Sequence, residues 1–406
     1  MTTILGGPVT DRALIKDFVQ AGTCVARNEP AWIPRLEFEM RNHLSQKNPF
    51  FRDNDVRFLV AYLHGKPVGR LSLQIPAARP ARTSQMDKND ENDCHHRNVT
   101  HNNSTGHFGF CAAASPDIFQ SLLATGEDWL LDKGCTMVRG PFSLSINDEV
   151  GLLVKGTDKK PRLLMNYAPA WMRQTLENES YKKARDLFAY DLETTRDLPE
   201  RAQKMAGMAV GSDRIESRTI KSRDLLGDLE IIRDIFNRGW AGNWGFVPMT
   251  SQDIRYMAHS MSPILDTDLA RIGYIDGQPS AMIVALPNLN EAIDDFQGRL
   301  FPLNWGRLIW HLKVRGVKSA RVLLMGVVPE HHSGILGSAL SILLISQIHA
   351  SLREKGYREV ELSWILEDNT PIRKMIESLG GSVTRTYRVF EKPLTDKDKK
   401  ADLLKG

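Results

Sequence analysis

The sequence predicts an α/β (α+β) fold that occurs twice, in two tandem halves of the chain. Three observations lead to this prediction. Residues 319–392 show, in order, an apolar strand, a glycine turn, a long apolar helix and further strands. Residues 58–73 and 270–284 share a hairpin pattern, with apolar alternation on both sides of a turn centred on glycine. A length of 406 residues also exceeds what one hydrophobic core usually holds.

The elements of the first half follow from helical and strand patterns. Helical patterns cover residues 11–28 and 34–46, and the hairpin at 58–73 comes next. The entry Ser115-Pro116-Asp117 is a good helix start, because serine caps a helix and proline fits its first turn. The remaining predicted elements are a strand at 107–113, a helix at 117–133, a strand at 136–144 and an extra hairpin at 150–156.

The second half is predicted to repeat this order. The uncharged run 333–352 contains Ser, Gln and His and follows a strand, which favours a buried helix over a membrane span. The predicted elements are a strand at 214–220, helices near 223–238 and 251–261, the hairpin at 270–284, a strand at 321–328, a helix at 335–353, a strand at 359–366, a short helix and a final strand pair that ends at Phe390.

These patterns divide the chain into two domains. Residues 1–195 form the first domain and residues 213–394 the second, with a polar linker of little apolar periodicity at 196–212. Residues 77–104 are rich in polar residues and predict a long surface insertion within the first domain. Residues 395–406 predict a frayed tail.

The composition argues against several classes of protein. A net charge of +4 spread along the chain gives no argument for nucleic acid, although it suits an anionic cofactor or membrane surface. The four cysteines, Cys24, Cys94, Cys111 and Cys135, lack paired spacing and predict reduced thiols in a cytosolic protein. The start of the chain lacks a basic region followed by an apolar core, so no secretory signal is expected.

Cys94, His95, His96 and His101 look like metal ligands at first sight. They lack the spaced pairs of a zinc site and lie in the polar insertion, so no metal is expected. The sequence also contains no nucleophile elbow, Walker loop or Rossmann fingerprint. The expected location is the cytoplasm, while peripheral membrane contact and oligomeric state stay open.

Both halves follow the order strand, two helices, three-stranded meander, helix, strand, helix and strand pair, and residues 176–190 match residues 376–390. This order resembles the GNAT (Gcn5-related N-acetyltransferase) fold. Phrases along nearly the whole chain also resemble a bacterial family of tandem GNAT-like proteins, which includes enzymes described as bacterial ceramide synthases. The phrases are Asn48-Pro49-Phe50-Phe51, Gly65-Lys66-Pro67-Val68-Gly69-Arg70, Gly106-His107-Phe108-Gly109-Phe110, Arg139-Gly140-Pro141-Phe142-Ser143-Leu144-Ser145-Ile146-Asn147-Asp148-Glu149, Asn243-Trp244-Gly245-Phe246-Val247-Pro248-Met249 and Ser363-Trp364-Ile365-Leu366-Glu367-Asp368-Asn369.

The resemblance implies two tandem GNAT acyl-CoA N-acyltransferase-like domains, each a mixed, mostly antiparallel twisted sheet flanked by helices. It also implies that an acyl group passes from acyl-CoA, or from acyl carrier protein, to a primary amine by direct attack, without an acyl-enzyme. The sharpest acceptor is a sphingoid-base-type lipid amine that receives a long chain. Two alternatives stay open: an acetyltransferase for a small polar amine or peptide, and a non-catalytic acyl-CoA-binding protein.

In GNAT folds the CoA pyrophosphate lies on backbone N–H groups at the start of the helix after the fourth strand. The usual pattern Arg/Gln-x-x-Gly-x-Gly/Ala aligns with residues 332–337, where Gly337 is kept, Gly334 stands one place early and His332 replaces the basic residue. A tight turn that binds nothing is the alternative. The first half has no such glycines, so the second half is expected to bind acyl-CoA. The expected cofactor-binding residues are Gly326, Val327, Val328, His332, Gly334, Leu336, Gly337, Ser338 and Asn369.

In the same fold a backbone N–H of the fourth strand holds the thioester carbonyl, and the attacking ammonium must lose a proton. The candidate general bases are Glu149, Asp148, Glu367 and Glu361. Two alternatives to catalysis stay open for these groups. The loop Ser145–Glu149 could stabilise a turn, and Asp368 or Asn369 could cap the helix that follows them.

One departure from the GNAT pattern concerns the tyrosine that reprotonates the CoA thiolate. It would stand on the helix after Asn369, where this chain has Ile376, and the matching position of the first half has Leu176. The thiolate would then take its proton from water or another residue, or the fold would be inactive.

The loop 239–246 joins the first two helices of the second half and contains two Trp, a Phe and several glycines. In GNAT folds this loop lies over the acceptor. Its composition suits a cover over a lipid chain, with a buried aromatic plug as the alternative. The expected substrate-binding residues are Asn147, Arg139, Trp240, Asn243, Trp244, Phe246 and Asn290.

Overall fold

The computed structural model describes residues 2–76, 105–262 and 264–395 of the chain. The predicted insertion at 77–104 therefore lies outside the described residues, as does the tail from 396. The first half comprises β1 (Thr2–Gly7), α1 (Arg12–Ala26), α2 (Glu37–His43), α3 (Phe50–Asp53), β2 (Asp55–Leu63), β3 (Lys66–Ile75), β4 (Thr105–Ala113), α4 (Pro116–Asp132), β5 (Met137–Gly140), β6 (Phe142–Ser143), β7 (Glu149–Val150), β8 (Leu152–Lys155), α5 (Ala170–Asn178) and β9 (Lys182–Glu193).

The second half repeats the order of elements, with short 3-10 turns between some of them. It comprises α6 (Glu200–Val210), β10 (Ile215–Thr219), α7 (Leu225–Gly239), α8 (Ser251–Met261), β11 (Ala270–Ile275), β12 (Gln278–Pro287), α9 (Asn290–Ile293), α10 (Asn304–Trp310) with a π-helical turn (His311–Arg315), β13 (Ser319–Val327), α11 (Ile335–Glu354), β14 (Glu359–Leu366), α12 (Thr370–Ser378) and β15 (Ser382–Pro393).

The strands of both halves form one continuous 13-stranded sheet, in the order β1-β2-β3-β4-β5-β15-β9-β14-β13-β12-β11-β10, with β8 added alongside β15. Most neighbours are antiparallel, and the pairs β4–β5 and β13–β14 are parallel. The mixed, mostly antiparallel arrangement that the resemblance implied is therefore confirmed, although the two expected sheets, one in each domain, are joined into one. The remaining strands, β6 and β7, pair with each other in a separate two-stranded sheet.

The two halves exchange their last strands. β9, which ends the first half, pairs with β14 of the second half. β15, which ends the second half, pairs with β5 of the first half and with β9. The predicted final strand pair is thus a single strand, and neither half completes its sheet from its own residues.

The predicted linker 196–212 contains helix α6, which the sequence analysis did not predict. The helix packs against α11 and buries Ala202, Ala206 and Ala209. Alanine contributes little to an apolar pattern, so the buried face of α6 gives a weak signal in the sequence. The helix nevertheless closes one side of the second-half core.

Helix α11 is a core helix of the second half. Leu340, Leu344 and Leu352 on it are completely buried, which confirms the buried helix predicted for residues 333–352. Within the described residues it is also the one helix long and apolar enough to cross a membrane, and 56% of its apolar window is buried inside the fold.

The strand predicted at 136–144 is interrupted at Pro141, which has no N–H to donate to a neighbouring strand. β5 stays in the large sheet, while β6 turns away and pairs with β7. The extra hairpin predicted at 150–156 is not formed, because β7 and β8 are separated only by Gly151 (φ 78°) and pair with different strands.

Candidate active site

The parallel pair β13–β14 opens partway along its length. Backbone pairing joins Ser319–Val322 to Glu359–Leu362 and then stops. β13 continues to Val327 along β12, while the end of β14 turns towards β9, where Leu366 pairs with Leu187. The facing edges of the two strands therefore diverge and leave a split in the sheet, with free backbone groups on its β13 side.

Helix α11 begins directly beside this split. Gly334 is its N-cap residue, and among the described residues no side chain caps the helix. A methyl group on Gly337 would lie only 2.0 Å from the His331 carbonyl oxygen, so glycine is required at this close approach. His332 Nε2 lies 2.8 Å from the Val327 carbonyl oxygen and joins the turn to β13. The first-turn N–H groups of α11 are thus free to bind an anion.

The structure brings most of the predicted cofactor-binding residues together, with two corrections. Val328 N–H donates to the Ser280 carbonyl at 2.9 Å, so it cannot hold a thioester carbonyl. Alternation along the strand turns the Val327 N–H towards the split instead. Asn369 caps α12 by accepting a hydrogen bond from Ile372 N–H at 3.4 Å, which is the capping role left open above.

The corresponding split in the first half is filled by protein. Pairing of β4 with β5 also stops early, after three residue pairs. A methyl group on Gly109 would lie 1.8 Å from the Phe142 carbonyl oxygen, because β6 crosses β4 at this point. Gln74 Nε2 fixes the crossing by donating to the carbonyls of Phe142 at 2.6 Å and Leu144 at 3.1 Å. Only the split of the second half, among the described residues, stays open.

The loop Ser145–Glu149 holds a carboxylate with an unusual pKa. Asp148 Oδ2 accepts hydrogen bonds from the Ser145 hydroxyl at 2.9 Å and the Ser145 N–H at 3.3 Å. Burial raises the pKa of Asp148 to about 6 against these opposing hydrogen bonds. His43 Nε2 lies 3.8 Å from Asp148 Oδ1, and burial together with the nearby Arg35 lowers the pKa of His43 to about 3. The pair therefore consists of a titratable carboxyl and a neutral imidazole.

Glu149 lies on the wall of a cavity of about 60 Å³ in the first half. Its Oε1 is 3.4 Å from Arg35 Nη1, and Arg35 Nη2 also donates to Glu39 at 2.5 Å. At about 30 Å³ for each water molecule, the cavity accommodates about two water-sized groups. Its other polar and aromatic walls include Arg70, Cys111, Asn166, Tyr167 and Trp32.

Several buried polar atoms around this cavity lack a partner within the described ranges. They are Arg35 Nε, Arg70 Nε, Asn166 Oδ1 and His43 Nε2. Arg70 is only 8% exposed and its guanidinium lies 5.1 Å from the ring centre of Phe18. Burial lowers the pKa of Arg70 to about 10. Since buried polar groups are normally satisfied, these donors and acceptors suit a small polar ligand that offers both.

The loop between α7 and α8 joins the split to residues 145–149, which we call the acidic loop. At its start, a methyl group on Gly239 would lie 2.7 Å from the Val327 carbonyl oxygen. At its end, Asn147 Nδ2 donates to the Val247 carbonyl at 3.0 Å. Trp244 lies between them, with the guanidinium carbons of Arg139 and Arg185 each 5.5 Å from its ring centre. The structure thus places Arg139 against Trp244, and Asn147 against the end of the same loop.

The other residues of this loop have core or backbone roles. The ring centres of Trp240 and Phe246 lie 4.1 and 5.8 Å from that of Phe236, and both side chains are half-buried against the core of the second half. This packing favours the aromatic plug over a cover for a lipid chain. Asn243 takes part in turns through its backbone, which donates to the Trp240 carbonyl at 2.9 Å. Arg139 is also fixed by two hydrogen bonds to Glu391 Oε2, at 3.0 and 2.7 Å.

Three predicted site residues have structural partners instead. Glu361 is completely buried and bonds Arg385 at 2.7 Å. Glu367 lies in a surface pair with Lys183 at 2.6 Å. Asn290 is 8% exposed and donates to the Pro161 carbonyl at 2.9 Å. The charge of Glu361 compensates buried arginines, and this environment argues against catalysis. The sequence pattern alone could not indicate this role.

Sequence patterns alone did not predict a site role for Arg35, His43, Arg70, Cys111 or Tyr387. Arg70 carried a signal, because it is a charged residue at a core-facing position of an apolar strand. The others come from distant parts of the chain and meet only in the fold. Burial raises the pKa of Cys111 to about 12, so its thiol stays protonated. The Tyr387 hydroxyl is buried and has no partner in the described part of the chain.

The positions at which GNAT enzymes carry the thiol-protonating tyrosine are core positions here. Ile376 is 2% exposed and Leu176 is completely buried. Neither side chain can donate a proton, as the sequence indicated. The described residues also contain no group of three His, Cys, Asp or Glu side chains that could hold a metal ion. Cys94, His95, His96 and His101 lie outside the described ranges.

Known proteins resemble this chain along almost its whole length. It is 37% identical over 390 residues to the bacterial ceramide synthase of Caulobacter vibrioides, covering 95% of this chain and 97% of that protein. It is 36% identical over 381 residues to protein YghO of Escherichia coli, covering 94% and 93%. No protein-family model matches the chain.

Solved structures share the fold at low identity. A tandem GNAT protein from the clavulanic acid biosynthesis pathway superposes with a TM-score of 0.55 at 12% identity, over 97% of this chain and 99% of that chain. The glucosamine N-acetyltransferase region of a fungal multi-domain beta-N-acetylglucosaminidase gives a TM-score of 0.54 at 13% identity, over 97% of this chain and 38% of that chain. These two structures establish the tandem GNAT architecture and nothing about substrates.

Proposed function

The chain belongs to the bacterial tandem GNAT family that contains the ceramide synthase of Caulobacter vibrioides, and we propose that it transfers a long acyl chain from acyl-CoA to a sphingoid-base-type amine. One observation carries the assignment of the donor site. The split between β13 and β14 is open beside an uncapped helix start, whereas β6 fills its counterpart in the first half. The donor therefore binds the second half.

In this proposal the CoA pyrophosphate lies on the first-turn N–H groups of α11, where the helix dipole favours negative charge. The pantetheine arm follows the split, and its amide groups replace the missing strand-to-strand hydrogen bonds. Val327 N–H then donates to the thioester carbonyl and stabilises the negative charge that develops on it. Glycine at 337 is required for the turn that presents these groups.

The acceptor occupies the first-half cavity and the space beside it, where residues 145–149 meet the α7–α8 loop. The cavity has room for about two polar groups of an aminodiol head group, and the rest of the head group lies beside its opening. Its hydroxyls both donate and accept, so they complement Arg70 Nε and Asn166 Oδ1. Glu149 contributes negative charge on the same wall. The loop 145–149 touches the α7–α8 loop, which reaches Val327.

The ammonium group must lose two protons to become an amide N–H, and the CoA thiolate must gain one. Asp148 takes the proton from the ammonium group, and its raised pKa makes it a better base than an ordinary carboxylate. The free amine attacks the thioester carbonyl, the C–N bond forms, and the C–S bond breaks to release the CoA thiolate. The second proton of the attacking nitrogen passes through water to the thiolate, since Ile376 and Leu176 cannot donate one, and Asp148 returns its proton to the solvent. Because Cys111 stays protonated, direct attack is favoured over an acyl-enzyme.

The donor site is tested by placing a charge at the start of α11 without a clash. Gly334 has an ordinary φ and open space around its Cβ position, so Gly334→Asp caps the helix and leaves the fold intact. Its carboxylate repels the pyrophosphate, and we expect CoA affinity to fall at least about tenfold, or about 1.4 kcal/mol. Isothermal titration of CoA measures the loss, and Gly334→Asn, a neutral cap of the same size, serves as the control. Equal affinities of the two variants would contradict the proposal.

The reaction itself is tested with purified protein, acyl-CoA of graded chain length and a sphingoid base. We expect mass spectrometry to detect the N-acyl product, with more product from long chains than from acetyl-CoA. An amide formed only with small polar amines would support the acetyltransferase alternative. CoA binding without turnover of any amine would support a non-catalytic protein. Turnover with acyl carrier protein thioesters alone would show that these, instead of acyl-CoA, are the donor.

A further inference from the structure

The second half exposes a large apolar surface around α10. We define the apolar patch as Phe38, Phe301, Leu303, Trp305, Ile309, Trp310 and Val314, all of which are exposed. Leu303 and Val314 are 79% and 71% exposed. Helix α10 has no buried residue within its described length. Leu308 packs against a small core cluster, whereas Trp305, Ile309 and Trp310 are exposed. Apolar patches of this kind mark interaction sites.

The same segment is strongly basic. Residues 296–329 contain no Asp or Glu, while Arg299, Arg307, Arg315 and Lys318 are exposed. Arg307 bonds Asp295, which precedes this stretch. Among the described residues no carboxylate forms a salt bridge with the side chain of Arg299, Arg315 or Lys318, although Glu291 accepts a hydrogen bond from the Lys318 backbone N–H at 2.8 Å. The patch therefore combines exposed Trp and aliphatic side chains with uncompensated positive charge.

This combination fits an anionic bilayer better than a second copy of the chain. Tryptophan and basic residues are the side chains that favour the interface of a membrane with anionic lipids. A symmetric dimer through the patch would bring the uncompensated basic residues of two copies together, which is unfavourable. Charge complementarity thus selects the lipid surface.

The apolar patch adjoins the first-half cavity. Phe38 lies on α2, and its ring centre is 6.5 Å from that of Phe301. Glu37 N–H donates to the Gly298 carbonyl at 2.8 Å, which joins α2 to the segment before α10. Arg35 and Met40, on either side of Phe38, line the cavity. A lipid held in the bilayer would therefore meet the cavity wall at the edge of the patch.

We propose that the apolar patch docks the protein on a bilayer containing anionic lipids, so that a membrane-held amine reaches the first-half cavity. The docking stands on the exposed side chains and charge of the patch. The delivery of the amine rests on the proposed function. Binding to vesicles and turnover therefore test the two parts separately.

The docking test is flotation of the full chain with phosphatidylcholine vesicles, with and without about 30% phosphatidylglycerol. Leu303→Glu with Trp310→Glu places two charges in the patch, and we expect vesicle partitioning to fall at least about tenfold. Met208→Glu with Val210→Glu on α6 is the matched control, because these residues are similarly exposed (68% and 69%) and lie outside the patch. The control should partition as the wild type does.

Replacing Arg315 and Lys318 by Gln should weaken binding to anionic vesicles about fivefold for each charge removed and leave binding to neutral vesicles unchanged. Added salt should have the same effect as these substitutions. Docking is overturned if the wild type does not float with anionic vesicles, or if the patch variant floats equally well. A wild-type dimer that the patch variant converts to a monomer, without vesicle binding, would also overturn it in favour of self-association.

Turnover separates this inference from the proposed function. With a short-chain, water-soluble sphingoid analogue, the patch variant should match the wild type, whereas with a long-chain base held in vesicles it should be slower. If no amine is acylated by the wild type, the proposed function fails, yet vesicle binding still decides docking. If both substrates are acylated equally by wild type and patch variant, the delivery role is wrong.

Discussion

Asp148→Asn should lower kcat/KM for amide formation by about 10²–10⁴-fold, because the amine then lacks its positioned base. Wild-type kcat/KM should fall as pH drops below about 6, where the Asp148 carboxylate becomes protonated. The variant should lose this acidic limb of the pH–rate profile. Initial rates measured from pH 5 to 9 with saturating acyl-CoA provide the test. A limb near pH 6 that persists in Asp148→Asn would assign the base elsewhere, with Glu149→Gln as the next variant.

Ser145→Ala is the control for this assignment. The Ser145 hydroxyl donates to Asp148 and lowers its pKa, so its loss should move the limb to higher pH without removing activity. The free energy of unfolding shows whether a loss of activity in these variants comes from unfolding instead of from the changed base. Because the folded pKa of Asp148 is raised, its contribution to stability is present below the unfolded pKa and is lost as pH rises through about 6. At pH 8, Asp148→Asn should therefore be at least as stable as the wild type.

Glu361→Ala should destabilise the fold by about 3–5 kcal/mol, because it leaves buried arginines without their counter-charge. Glu361 is completely buried, bonds Arg385 at 2.7 Å and Ser363 at 2.5 Å, and lies 4.0 Å from Arg321. Urea unfolding followed by circular dichroism measures the loss.

Two further variants make this prediction specific. Glu367→Ala removes a carboxylate from a surface pair and should cost about 1 kcal/mol or less. Glu361→Gln keeps the shape and part of the hydrogen bonding, and should fall between the two. A loss at Glu361 no larger than that at Glu367 would show that the buried network contributes little, and would reopen a catalytic role for Glu361.

Local patterns predicted most elements of this fold. The hairpin at 270–284 and the helix at 335–353 have strong periodicity and clear turns, and the structure has both. The exchange of β9 and β15 could not be predicted, because a strand has the same alternation whichever neighbour it pairs with. The resemblance, and not the local pattern, predicted the donor turn at 332–337. Its proposed ligand contacts come from backbone N–H groups, which side-chain identities do not reveal.

The surroundings of the acidic loop could not be predicted from its sequence. Two adjacent carboxylates after a strand identified Asp148 and Glu149 as candidates, yet their different surroundings come from distant segments. His43 lies beside Asp148, and Arg35 beside Glu149, although both precede them by more than a hundred positions. A raised pKa depends on burial by such neighbours, so no spacing within the loop could have indicated it.

The reciprocal pairing of β9 and β15 has a consequence for synthesis on the ribosome. β5 is followed by more than two hundred residues before β15 covers its edge. Until that strand emerges, β5 and β9 present unpaired edges, which invite association with other nascent chains. A fragment ending before residue 382 should therefore aggregate rather than act as an independent first half. Co-expression of the remaining segment, which carries β15, should restore its solubility.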